Sequence, residues 1–181
     1  MPFALLALLL SAGVAAGSLY LSLGMDLKAC TLCFYQRAFA FGLVGVLATG
    51  ALAFRDQGAK LCQVALPLAV AGLGVAGFHV WLGWTGWPRE GAAWFLACPA
   101  GIEGVGTAPQ QSLAAFAAVT LVLLIGAIGE VGTSGRGGAA LILSLLLGAA
   151  AAFGSIRANP PMPEPKPPSD QPLTTCVPTT R

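Results

Sequence analysis

Five long apolar stretches follow one another along the chain, separated by short polar breaks. They cover roughly residues 3–23, 34–54, 61–84, 113–129 and 139–156. A helix that crosses the hydrocarbon core needs about 20 residues at about 1.5 Å each. The first three stretches reach that length. The last two are slightly short and rich in Ala and Gly, but the link EVGTSGRGG between them has the composition of a tight turn, so both read as spans. Within the first stretch, SAGVAAG could act as a signal-peptide cleavage site. No basic segment precedes it and its apolar run exceeds a signal core, so it too reads as a span. Gly13, Gly17, Gly42, Gly45, Gly72 and Gly77 suit close helix packing in lipid. The pattern predicts an all-α integral membrane protein: a helical domain over 1–156, then a flexible Pro-rich tail over 157–181.

Composition sharpens this reading. The chain is 56% hydrophobic and 9% charged, where a soluble domain carries about 25% charged residues. A soluble fold of this length has no place to hide so much apolar surface. The net charge of +2 comes without any basic cluster, so nothing points to nucleic acid as a partner.

Charge also orients the chain. Arg55 and Lys60 lie in the short link RDQGAK, which the positive-inside rule assigns to the cytoplasm. Trp81, Trp84 and Trp87 crowd the end of the third stretch as an interfacial belt would. The polypeptide then crosses outward before Lys28, inward before Arg55, outward at Trp84, inward before Gly132 and outward at Arg157. Cys30, Cys33, Cys98 and Cys176 fall on the outer side, and Cys62 near the inner side. Four cysteines facing an oxidising compartment can make two disulfides.

The chemistry gathers in KACTLCFYQRAFAFG, residues 28–42. Cys30 and Cys33 form a C-x-x-C pair opening the second helix, where the macrodipole favours a thiolate. Arg37 lies four residues beyond Cys33, one turn deeper on the same face, and adds fixed positive charge beside that sulfur. Redox exchange is the leading reading of the pair. A structural disulfide across four residues closes almost no loop, and a soft-metal site wants further Cys or His ligands close by. Arg37 could instead snorkel to the interface. His79, the single histidine, could make one helix-to-helix hydrogen bond or touch a ligand. Gln36 needs no special explanation at an interface. Cys62 reads as a buried small hydrophobe.

The element Cys30-x-x-Cys33-x-x-Gln36-Arg37, following one span and opening the next, resembles the DsbB family of membrane thiol oxidases. The fragment AGFHVWLGW around His79 resembles the third helix of that family, and the likeness extends over roughly residues 1–130. The resemblance implies a four-helix bundle in the bacterial inner membrane, here with a fifth span. It implies a quinone, ubiquinone or menaquinone, near the outer ends of the helices, and a DsbA-like periplasmic thioredoxin-fold partner. Cys33 would donate electrons to the ring, Arg37 would stabilise the thiolate and the reduced quinone, and His79 would be a quinone contact.

This chain departs from the family pattern in one respect. The family has two cysteines between spans three and four, whereas this chain has only Cys98 there. Cys176, in the tail, is the remaining outer cysteine, and Cys98 with Cys176 is the expected second redox pair. A membrane subunit or metal-handling protein with structural disulfides is the competing class. Quinone-linked vitamin K epoxide reductases resemble the chain less, because their C-x-x-C lies nearer the C-terminal end of the bundle.

Overall fold

The computed structural model describes residues 1–24, 29–53, 56–85, 106–131 and 137–157. Among the described residues every regular element is a helix: α1 (Pro2–Leu23), α2 (Thr31–Ala53), α3 (Gly58–Thr85), α4 (Ala108–Val131) and α5 (Gly137–Arg157). All five are long and apolar enough to cross a membrane. The protein is therefore an all-helical, multi-pass membrane protein, as the five apolar stretches predict.

Local chemistry sets the helix ends. Pro2 occupies the first turn of α1, where its missing N–H has no helical partner to lose. Helix α4 starts at Ala108, five residues ahead of the hydropathy estimate and inside the region read as outer loop. The reason is polar: Gln110 Oε1 accepts the Thr107 backbone N–H at 3.0 Å, one arm of a capping box. Hydropathy does not register such a turn. Gly106, with φ of +98°, turns the chain into this cap, a conformation that favours glycine.

Helix α3 forms the centre. It packs against α2, α4 and α5, while α1 closes the ring against α2 and α4. Helices α1–α4 thus form a four-helix bundle, with α5 laid along the outside of α3. The core runs through Leu43, Leu47, Leu66, Phe116 and Leu123, all nearly inaccessible. Leu52, Ile128 and Leu146 point outward, as lipid-facing side chains do. The glycines divide. A Cβ on Gly72 would run into the Phe116 ring, and one on Gly42 would press on Leu68 at 3.3 Å, so these two do permit close packing. Gly13, Gly17 and Gly45 have no atom within 4 Å of where a Cβ would sit, and they close no helix pair.

Helix α5 docks through a defect in α3. Pro67 has no N–H to give the Gln63 carbonyl one turn back. Ser144 of α5 supplies the missing donor, its Oγ reaching that carbonyl at 3.0 Å. Gln63 Nε2 in turn donates to the Gly137 carbonyl at 3.3 Å. Gly148 lets the helices touch, since a Cβ there would meet Val70 Cβ at 2.6 Å and the Pro67 carbonyl at 2.8 Å. Interhelical hydrogen bonds in lipid contribute about 0.6 kcal/mol on average and up to about 1.7, whereas overpacking costs about 1–3 kcal/mol. Gly148→Leu is therefore expected to lower the unfolding midpoint in detergent micelles more than Ser144→Ala does. The reverse order would mean that the hydrogen bond, not the close approach, holds α5.

Cys62 lies at the opposite end of α3 from His79, about 25 Å along the helix axis. It is buried against Gly126, in the role of a small hydrophobe.

Candidate functional site

Cys30 is the N-cap of α2. Its carbonyl accepts the first helical N–H, from Phe34, at 3.1 Å. Its sulfur accepts the Cys33 backbone N–H at 3.2 Å, the bond that a Ser or Asp side chain makes at most helix starts. The C-x-x-C spacing therefore places one sulfur on the helix end and the other one turn in. Both residues are thiols in this structure. The Cys30 thiol is pushed well above its ordinary range, first by the side-chain hydrogen bond with Cys33, then by burial. The Cys33 backbone N–H pulls the other way but is the smaller effect.

His79 reaches this pair from α3, across 49 residues of sequence. Its Nε2 lies 3.8 Å from Cys30 Sγ, and its Nδ1 lies 3.4 Å from the Gln36 amide nitrogen. Both His79 and Gln36 are buried. The Gln36 amide can present either its N–H or its oxygen to Nδ1, so it can support either imidazole tautomer. Gln36, which the sequence left without a role, is thereby the residue that orients His79.

Arg37 faces the other way, toward α1. Its Nε donates to Ser18 Oγ at 2.9 Å, and one terminal nitrogen donates to the Ser18 carbonyl at 2.9 Å and to Ser22 Oγ at 2.6 Å. The guanidinium also sits 5.7 Å from the centroid of the Phe34 ring. This is a held arginine rather than a snorkelling one. Ser18 and Ser22 lie one turn apart on one face of α1, a spacing visible in the sequence but without meaning until α2 is docked beside it.

Between α1, α2 and α4 lies a cleft of about 440 Å³. Leu9, Leu10, Val14 and Phe116 line its apolar part, and Ser18, Ser22, Cys33, Gln36, Arg37 and Gln111 its polar part. Gly13 and Gly17 form its α1 wall, which explains why no atom fills the space above them. Cys33 and Arg37 open on this cleft together, as their four-residue spacing predicts. His79 and Cys30 are not among its lining residues; they stand behind Cys33 and Gln36. His79 borders the thiol pair and meets Gln36 across the helix interface, the helix-to-helix contact that is one of its two expected roles. Cys98, Cys176 and Trp87 lie outside the described residues.

Trp81 and Trp84 are exposed at the His79 end of α3, as residues of an interfacial belt would be. Ala152 and Ile156 of α5 pack into the cluster around Cys30, Leu32 and Leu82, so α5 ends beside the thiol pair.

No curated protein and no solved structure matches the chain. A family model does: that of the disulfide bond formation protein DsbB, over residues 1–115. The match takes in Cys30, Cys33, Gln36, Arg37 and His79, and it stops within α4, ahead of α5 and the tail. With more than half its length matched, and with a C-x-x-C pair at the head of its second membrane helix, the chain belongs to the DsbB family of disulfide bond formation proteins.

Proposed function

We propose that the protein is a thiol oxidase of the bacterial inner membrane. It reoxidises a DsbA-like periplasmic dithiol protein and passes the electrons through Cys30–Cys33 to a membrane quinone, ubiquinone or menaquinone. The observation that carries this reading is the shared opening of Cys33 and Arg37 onto one largely apolar cleft.

The cleft suits such a cofactor. Leu9, Leu10, Val14 and Phe116 offer an apolar bed for a ring and the start of an isoprenoid chain, and Arg37 and Gln111 offer donors for carbonyl oxygens. A bound quinone supplies the two-electron acceptor that sulfur exchange alone lacks. Residues of the chain do the remaining work. Cys33 presents its sulfur to the cleft. Cys30 stands behind it and closes the disulfide when electrons leave. Arg37, fixed by Ser18 and Ser22, holds positive charge where negative charge develops. His79 can carry a proton at Nε2 beside Cys30, with Gln36 setting the tautomer. Reduced Cys30–Cys33 is regenerated by thiol–disulfide exchange with an outer cysteine pair, and that pair by the soluble partner. The redox end faces the periplasm in this reading, and the Arg55–Lys60 link faces the cytoplasm.

Purified protein should carry about one quinone per chain and oxidise a reduced DsbA-like protein. Gly17→Phe should lose the quinone without losing thermal stability, because the new ring enters the open cleft rather than the core. Absence of both quinone and dithiol oxidation from the parent protein would refute the reading.

A further inference from the structure

The thiol pair and His79 have a second chemistry in their geometry. Cys30 Sγ, Cys33 Sγ and a His79 ring nitrogen all lie within 4.8 Å of one another. A tetrahedral zinc ion with bonds of about 2.3 Å to sulfur and about 2.0–2.1 Å to nitrogen holds its donors about 3.5–3.8 Å apart. Cys30 Sγ and His79 Nε2 already stand at 3.8 Å. The other ring nitrogen meets the Gln36 amide at 3.4 Å, and with that amide turned so that its oxygen accepts Nδ1–H it makes the supporting hydrogen bond of a metal-binding imidazole. The objection that a C-x-x-C pair lacks a nearby third ligand is met by a residue 49 positions away in sequence.

We propose that the reduced protein binds a soft or borderline divalent cation of the zinc class through Cys30, Cys33 and His79. Charge favours it: two thiolates and a neutral imidazole around a dication make a neutral unit, suited to a buried site at the membrane boundary. Cys33 opens on the cleft and gives the ion a route in and a fourth coordination position. The cation displaces the thiol protons and no electrons move. A disulfide offers no thiolate, so only the reduced pair binds. The bound ion then withholds both sulfurs from oxidation, and cation release restores them. This inference needs reducible cysteines but no quinone, so its failure would leave the proposed oxidase function standing.

The test uses the full chain in detergent micelles with Cys62, Cys98 and Cys176 changed to Ser, leaving Cys30 and Cys33 as the thiols. Titration of the reduced protein with Co²⁺ should give one equivalent bound, with thiolate charge-transfer absorption and the intense visible bands of tetrahedral cobalt. Zn²⁺ should bleach them. Gln36→Leu should weaken binding about 10- to 100-fold, the usual cost of losing a supporting partner, and His79→Ala should weaken it more. His79→Cys should recover the site with a stronger sulfur absorption, which a merely misfolded variant would not do. Equal Co²⁺ binding by the oxidised protein, or parent-like binding by a folded His79→Ala variant, would overturn the proposal.

Discussion

Arg37→Ala is expected to raise the apparent KM for quinone roughly 10- to 100-fold, while the unfolding midpoint moves little. A hydrogen bond to a charged group contributes about 1.5–3 kcal/mol, and each 1.4 kcal/mol is tenfold in affinity. The guanidinium already spends two of its nitrogens on Ser18 and Ser22. Those bonds aim it at the cleft, and their loss leaves two serines that water or the helix backbone can satisfy. Arg37→Lys keeps the charge but lacks the planar fork that grips Ser18 at two atoms, so it should fall between parent and Ala. Steady-state rates at several quinone concentrations, with circular dichroism on each variant, separate the effects. Unchanged quinone kinetics in a folded Arg37→Ala variant would reduce Arg37 to an anchor between α1 and α2.

The sequence revealed the spans and the thiol pair because each is a local property. Twenty apolar residues state a span by themselves, and Cys30, Cys33 and Arg37 share one face by helical arithmetic alone. The contacts of His79 were not legible in this way. In lipid both the core face and the outer face of a helix are apolar, so the sequence does not say which way a side chain turns. His79 could face lipid, a ligand or another helix until α3 is rotated into place, and only then does Cys30 appear beside it. Ser18 and Ser22 carry no signal for the same reason, and Gln36, part of the motif but without a role of its own in the sequence, gains one only when His79 is placed beside it. Gly13 and Gly17 show the reverse error: small residues in a span can admit a neighbouring helix or leave a space, and here they leave one. Pro67 and Ser144 form a pair whose logic is chemical, a missing donor and its replacement, yet 77 positions separate them.

The remaining prediction concerns the second redox pair, which we propose is Cys98 with Cys176. Both residues lie outside the described helices, so the case rests on where those helices begin and end. Helix α4 starts at the thiol end, with Ala108 on the cleft, and runs to Gly126 beside Cys62. Helix α5 returns from Gly137, near Gln63, to Ile156 in the cluster around Cys30. The segment carrying Cys98 and the segment carrying Cys176 therefore attach at the same end of the bundle. From Arg157 to Cys176 an extended chain at about 3.1 Å per residue spans roughly 60 Å, ample to reach either Cys98 or Cys30–Cys33. Cys62, at the other end, is no competitor. Peptide mapping of the oxidised protein after alkylation should find a Cys98–Cys176 linkage. Cys176→Ser should lower oxidation of the DsbA-like protein by about a hundredfold or more, since exchange needs a paired sulfur to close the mixed disulfide. Small dithiols should still reduce Cys30–Cys33 in that variant and so drive quinone reduction. Alkylated Cys176 in the oxidised protein, together with full activity of Cys176→Ser, would eliminate the pair and return Cys98 to acting alone or with a second chain.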